Sequence, residues 1–237
     1  MLQNRKGNGN VDWAQLATIL VFGLLLPVLL FTYWHAMAVV ILCGAITWAI
    51  SQPVKGTLYV LASRWVKERL PTAGWAAFRG IISAVSELSV AAVYLAFFLP
   101  VPSISNLVGF GVGASSAEVL FLWVVQQLKR RRLRRSGQES RNPSGSTHYI
   151  FLAERSAALL LHVGSRCLLY PSIFLPNPWL GIWAIVSFSL VDGAAAYGKL
   201  HHWNWLDFGV YFKFWGFIVT VGAFDLCLFA LTTRAFH

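Results

Sequence analysis

The chain has 237 residues, of which 57% are hydrophobic and only 12% are charged, and its formal net charge is +10. A soluble domain carries about 25% charged residues, so this composition excludes a soluble globular protein and indicates an integral membrane protein. The positive charges lie in short runs between apolar stretches, which is typical of membrane loops, so we do not expect nucleic acid as a partner.

Apolar stretches long enough to cross a membrane define the predicted fold. A membrane-spanning helix needs about 20 apolar residues, and prolines and glycines mark several of the breaks between such stretches. The predicted spans lie at 16–34, 37–60, 79–99, 104–126, 149–171, 178–198 and 208–231. We therefore predict an all-α fold with a single integral membrane domain over residues 1–237, built as a polytopic bundle of about seven transmembrane helices.

Lysine and arginine set the expected orientation of this bundle. They are concentrated between the second and third spans and after the fourth, whereas the connections at 35–36, 100–103 and 172–177 contain none. The positive-inside rule then places the N-terminus in the cytoplasm and the C-terminus outside, and we expect a bacterial cytoplasmic membrane. The segment 129–147, KRRRLRRSGQESRNPSGST, is predicted to be a flexible basic cytoplasmic loop attracted to anionic membrane lipids.

The fifth predicted span carries a stripe of ionisable side chains. Glu154, His162 and Arg166 are separated by multiples of four residues, so they lie on one face of a helix, while Arg155 points elsewhere. An ionised side chain at the centre of a bilayer costs at least about 2.5–3.5 kcal/mol, so such residues normally face other helices. We expect this stripe to face the interior of the bundle.

Other acidic side chains are predicted to lie at a similar depth. With a rise of about 1.5 Å per residue, Glu87 and Glu118 come about 12 Å from the cytoplasmic edge, and Asp192 about 9 Å. On the same scale Glu154 lies at about 7 Å and His162 at about 19 Å. Five polar groups from four helices therefore share one layer of the membrane, and we expect them to surround a common cavity.

Such groups persist in a low dielectric when they are protonated, when they pair with Arg155 or Arg166, or when a cation lies among them. A buried carboxylate can act as a general base toward water, and a neutral imidazole can bind zinc or stabilise an oxyanion. The structural alternative is that Glu154, Arg155 and Asp192 form an ion-pair clasp between helices. That clasp would hold the bundle together and would have no catalytic role.

A glycine-rich stretch at 109–117 precedes Glu118. Its small residues recur every fourth position, at Gly109, Gly113 and Ala117. This spacing allows two membrane helices to approach closely, so we predict a packing role for the stretch.

Several short motifs occur in a fixed order along the chain. They are 48–53 (WAISQP), 86–88 (SEL), 109–113 (GFGVG) with Glu118, 153–155 (AER) with His162 and Ser165, and 190–192 (LVD). This order resembles the YhfC-type family of intramembrane metalloproteases, which is related to the PrsW and CAAX-processing glutamic proteases. The resemblance covers roughly residues 38 to 200, and its most specific part is the Glu154-Arg155 pair followed by His162.

The resemblance implies an intramembrane peptidase of the metallo or glutamic type, acting on transmembrane or lipid-proximal peptides. The catalytic residues that it implies are Glu87, Glu118, Glu154, Arg155, His162 and Asp192. It further implies a zinc ion held by His162 and Glu118. Because Val112 and Phe188 stand where the family has histidines, two other versions stay open: metal-free activation of water by glutamate and histidine, and a non-catalytic relative.

Three further hypotheses compete with the peptidase. A proton-coupled transporter or channel is one, because acidic residues and histidines in membranes also relay protons, and Asp225 in the last span would extend such a path. A serine peptidase of the rhomboid kind is another, with Ser115 or Ser116 as nucleophile and His162 as base. The last is a scaffold whose ion pairs only stabilise the bundle.

Overall fold

A computed structural model of the chain describes residues 13–98, 103–136, 146–175, 177–205 and 207–234. Its helices are α1 (Trp13–Thr18), a π-helical stretch (Ile19–Leu25), α2 (Leu26–Tyr33), α3 (Ala38–Trp65), α4 (Thr72–Phe98), α5 (Ile104–Arg135), α6 (Ser146–Phe174), α7 (Pro178–Leu200) and α8 (Phe208–Arg234). These elements include no strand, so across the described ranges the predicted all-α fold is confirmed.

Seven helical segments within the described ranges are long and apolar enough to cross a membrane. The first, Leu16–Tyr33, runs from α1 through the π-helical stretch into α2, and α3 to α8 supply the other six. The predicted bundle of seven spans is confirmed, and the chain is an integral membrane protein.

The predicted basic loop begins later than the sequence analysis placed it. Helix α5 continues through Arg135, so residues 129–135 form its last turns instead of the start of a loop. Arginine, lysine, leucine and glutamine are good helix formers, and no glycine or proline interrupts the chain before Gly137. Residues 137–145 of the predicted loop lie outside the described residues, and α6 already begins at Ser146.

Close helix contacts occur where glycine removes a side chain. A Cβ atom on Gly44 of α3 would collide with the carbonyl oxygen of Phe110 in α5, and one on Gly113 of α5 would collide with the carbonyl oxygen of Ile41 in α3. Gly109 lies against the Ile41 side chain, where a Cβ atom would come within 3.1 Å. The predicted packing role of the glycine-rich stretch is therefore confirmed.

Helix α6 is the central element of the bundle. It packs against α4, α5, α7 and α8, and a larger share of it is buried than of any other span. His162 and Arg166 of the predicted stripe are buried against other helices, while Glu154 is 43% exposed. The prediction that Arg155 points elsewhere is wrong, because its long side chain is buried as well and reaches Glu118 of α5 at 2.9 Å.

Candidate functional site

A cavity of about 250 Å³ lies between α3, α4, α5, α6, α7 and α8. At about 30 Å³ per water molecule, it has room for roughly eight waters. The six residues predicted as a site all line it: Glu87, Glu118, Glu154, Arg155, His162 and Asp192. Acidic groups and an imidazole from four helices thus surround one hollow in the half of the bundle that carries most of the lysine and arginine.

Glu118 of α5 lies at the centre of the first cluster of polar contacts in this cavity. Arg155 Nη1 donates to its Oε1 at 2.9 Å, and His162 Nε2 lies 2.6 Å from its Oε2. The side chain is 24% exposed. Two donors from α6 therefore hold the Glu118 carboxylate in place while part of it still faces the cavity.

The protonation of His162 follows from its second partner. Arg166 Nη1 lies 2.8 Å from His162 Nδ1. A guanidinium group can only donate, so Nδ1 must accept, and the hydrogen-bond network assigns the ring proton to Nε2, which donates to Glu118. His162 is a neutral imidazole with both nitrogens engaged.

This arrangement does not fit the zinc ion that the family resemblance implies. A zinc ligand must present a free ring nitrogen, and zinc sites usually have at least three protein ligands. Both nitrogens of His162 and both oxygens of Glu118 already make hydrogen bonds, and the described part of the chain contains no group of three histidine, cysteine, aspartate or glutamate side chains placed to hold a metal. Phe188, at one position where the family has a histidine, lies buried with its ring 5.6 Å from that of His162.

A second cluster centres on Lys55 of α3, which the sequence analysis did not place in the site. Lys55 Nζ lies 3.1 Å from Glu87 Oε1 and 3.7 Å from Asp192 Oδ2, and Ser83 donates a hydrogen bond to Asp192. The predicted span ended at residue 60, only five residues after Lys55, so the sequence marked it as a charge near a helix end. In the structure α3 continues to Trp65, which places Lys55 about 15 Å from the helix terminus.

Arg166 joins the two clusters. Its Nη2 lies 3.6 Å from Glu87 Oε2, while Nη1 contacts His162, and the side chain is only 1% exposed. The resulting chain of contacts runs through Lys55, Glu87, Arg166, His162, Glu118, Arg155 and Glu154. Burying an ion costs several kcal/mol unless opposite charges and hydrogen bonds compensate it, and this network supplies both.

The structure changes the composition of the predicted ion-pair clasp. Arg155 Nη2 lies 2.7 Å from Glu154 Oε1, but both residues belong to α6, so this pair connects no helices. The contact between helices is the one from Arg155 to Glu118 of α5. Asp192 belongs to the other cluster, where it lies beside Lys55 of α3.

Asp225 and the two serines of α5 lie away from the cavity. Asp225 is fully buried and accepts hydrogen bonds from Trp183 Nε1 and Ser187 Oγ, each at 2.9 Å. Ser116 Oγ donates to the Phe22 carbonyl at 2.6 Å, and neither Ser115 nor Ser116 lines the cavity. Since His162 is bonded to Glu118 and Arg166, it cannot act as a base for either serine in this arrangement, so the serine hypothesis is not supported.

No protein-family model, curated protein or solved structure matches this chain. The resemblance to the YhfC-type family therefore stays a prediction from the motifs.

Proposed function

We propose that this integral membrane protein is an intramembrane peptidase of the glutamic type, in which Glu118 activates water. The observation that carries the proposal is the Glu118 carboxylate, held by Arg155 and His162 yet 24% exposed toward a polar cavity inside a membrane bundle. A carboxylate offers about four lone-pair sites and only two are occupied here, so a water molecule can still donate to it.

The proposed reaction begins with water bonded to Glu118. The water oxygen attacks the carbonyl carbon of a peptide bond while Glu118 accepts its proton. Lys55 and Arg155 line the same cavity and place positive charge where the oxyanion develops. Glu118 then returns the proton to the amide nitrogen as the carbon–nitrogen bond breaks, which releases a carboxylic acid and an amine.

The other site residues orient these groups. His162 donates to Glu118 through Nε2 and so fixes the direction of the carboxylate. Asp192, bonded to Ser83, lies beside Lys55, so both Asp192 and Glu87 position the lysine ammonium group at the cavity wall.

The shape of the cavity supports a membrane-embedded or lipid-proximal peptide as substrate. Charged side chains of α3 to α7 line the cavity. Its apolar wall consists of side chains of α6, α7 and α8, namely Leu161, Phe188, Val191, Phe214 and Ile218. A peptide segment that leaves the lipid phase could place its side chains on the apolar wall and its backbone near Glu118.

The test compares new protein N-termini in membranes from cells that produce the wild-type chain, Glu118→Gln or Glu68→Gln. Glu68 is exposed and does not line the cavity, so its replacement is a matched chemical control. We expect a set of N-termini in or next to transmembrane segments that appears with wild type and Glu68→Gln and disappears with Glu118→Gln. Identical sets in all three membranes would contradict the proposal and leave the network a structural role.

One observation favours a second candidate, a proton-coupled transporter. The cavity brings together four acidic side chains and a histidine from four helices, and such groups also relay protons across membranes. Proton flux into liposomes that contain the purified protein, lost in Glu87→Gln, would support this candidate. Peptide cleavage without flux would favour the peptidase.

A further inference from the structure

Two cationic side chains that line the cavity, Arg79 and Lys199, are not paired with a carboxylate of the described residues. Every carboxylate that lines the cavity lies in an ion pair: Glu87 and Asp192 pair with Lys55, and Glu118 and Glu154 pair with Arg155. Arg79 of α4 and Lys199 of α7 also line the cavity. Neither forms an ion pair with any carboxylate in the described part of the chain.

Tyr59 of α3 holds Arg79 in place without neutralising it. The Tyr59 hydroxyl donates to the backbone carbonyl of Arg79 at 3.0 Å, and the Arg79 guanidinium lies 5.4 Å from the centre of the Tyr59 ring. A cation–π contact of this kind orients a guanidinium group and leaves its donors available for an anion.

The packing of α4 on α7 directs the two cations toward each other. Gly80, next to Arg79, lies against the backbone of Ser189 and Gly193. Lys199 lies six residues beyond Gly193, about 9 Å nearer the basic end of the bundle. Side chains tilt toward the N-terminus of their own helix, and the two helices run in opposite directions. Arg79 therefore tilts toward the basic end and Lys199 tilts back toward the cavity, and both side chains line it.

We propose that Arg79 and Lys199 bind the phosphate group of an anionic phospholipid headgroup at the mouth of the cavity. A guanidinium fork matches two phosphate oxygens, and a lysine ammonium adds a point charge. The mouth lies at the end of the bundle that the positive-inside rule assigns to the leaflet with anionic lipids. This inference goes beyond peptide hydrolysis and holds whether or not the protein is a peptidase.

The apolar wall supports a lipid over a free ion. Phe214 and Ile218 of α8 line the same cavity. A phospholipid bound by its phosphate between Arg79 and Lys199 can place its glycerol and first acyl carbons against these side chains. Inorganic phosphate would make no use of them.

The test measures binding of dihexanoyl-phosphatidylglycerol, a soluble short-chain lipid, to the purified full chain in an uncharged detergent by titration calorimetry. The variants are Arg79→Gln with Lys199→Gln and, as a control, Arg64→Gln with Lys67→Gln. The control removes the same charge from exposed positions at the same end of the bundle, neither of which lines the cavity. We expect saturable binding to wild type and to the control, and an affinity at least about tenfold lower for the Arg79 and Lys199 variant.

The inference is overturned by no saturable binding to wild type, by an equal loss in both double variants, or by displacement of the lipid by equimolar inorganic phosphate or an acidic tripeptide. Two further variants guard against a folding defect. Lys199→Gln alone changes an exposed side chain at the end of α7 and is expected to weaken binding at least about threefold. Arg79→Lys with Lys199→Arg keeps both charges and is expected to retain binding. An unchanged affinity in Lys199→Gln would count against the site.

Discussion

Arg166 connects the two charged clusters of the cavity, although the sequence analysis placed it only on the α6 stripe, as a possible ion-pair partner, and not among the catalytic residues. It lies between Glu87 and His162 with almost no exposure. Lys55 pairs with Glu87 Oε1, whereas Oε2 is buried and accepts no hydrogen bond from the described residues, so the guanidinium of Arg166 is the positive group nearest to that oxygen.

Replacing Arg166 with methionine tests this role. We expect Arg166→Met to lower the free energy of unfolding by about 3–5 kcal/mol, because it leaves a buried carboxylate and an imidazole nitrogen without their partner. The measurement is denaturant unfolding of the purified protein in detergent. Arg64→Met, at an exposed position, should change stability by no more than about 0.5 kcal/mol. Equal effects of the two substitutions would show that the network is not what stabilises the bundle.

The hydrogen bonds of His162 predict the metal content of the protein. Both ring nitrogens are engaged, one with Glu118 and one with Arg166. We therefore expect wild type and His162→Ala, purified in the presence of zinc, to contain equally little of it by elemental analysis, and any cleavage activity of the wild type to survive a chelator. One zinc ion per chain in wild type, absent from His162→Ala, would contradict the assignment of the ring proton.

Helical spacing made part of the site predictable. Glu154, His162 and Arg166 share a face because the period of an α-helix is fixed, and the rise per residue gave the depth of Glu118 and Asp192. The pairing of these groups was not predictable. It depends on how α3 and α6 are rotated about their axes, so the partners of Lys55 and Arg166 required the structure.

The contact between α3 and α5 depends on the absence of side chains. Gly44 of α3 lies so close to the Phe110 carbonyl that an added Cβ atom must displace backbone, whereas nothing lies within 4 Å of a Cβ atom added to Gly56 of the same helix. We expect Gly44→Ala to destabilise the protein by about 1–3 kcal/mol through overpacking. Gly56→Ala should be neutral or stabilise it by up to about 1 kcal/mol through helix propensity.

Unfolding curves of the two variants in the same detergent check this prediction. Because the chemical change is the same and both sites lie on α3, the difference between them reports the helix contact. Similar stabilities would mean that α3 and α5 can move apart to make room for the added methyl group at little cost in free energy.

Helix number and order were predictable, but some helix ends and most helix partners were not. Runs of about 20 apolar residues identify spans because a helix needs about that many to cross the hydrocarbon core of a bilayer. The same criterion ended the fourth span near residue 126, whereas α5 continues to Arg135. Hydropathy identifies only the part of a helix that lies in the membrane, and this helix extends beyond it. The pairing of α4 with α7 and of α6 with α8 depends on small residues that occur on several helices, so many pairings agree with the sequence.

The orientation of the whole bundle decides which side of the membrane the cavity serves. Lysine and arginine are concentrated at the end that carries Trp65 and Leu200, and the positive-inside rule assigns this end to the cytoplasm. Trp34, between α2 and α3, lies at the opposite end and is 56% exposed. Glu68, between α3 and α4, is exposed at the basic end.

Labelling of single cysteines checks this orientation. In a chain whose three native cysteines are replaced, we expect a membrane-impermeant maleimide to label Trp34→Cys in intact cells, and Glu68→Cys only after permeabilisation. The opposite pattern would place the cavity mouth on the outer side. The cavity would then not open toward the inner leaflet, which carries the anionic lipids.

The charged network also bears on how the protein is made. Helix α6 is the least apolar of the seven spans, because it brings Glu154, Arg155 and Arg166 into the lipid phase. Translation proceeds from the N-terminus, so α4 with Glu87 and α5 with Glu118 leave the ribosome before α6 does. The carboxylates that neutralise the arginines of α6 are thus already synthesised when the insertion machinery receives it, and the order of the helices along the chain eases the entry of its most polar span.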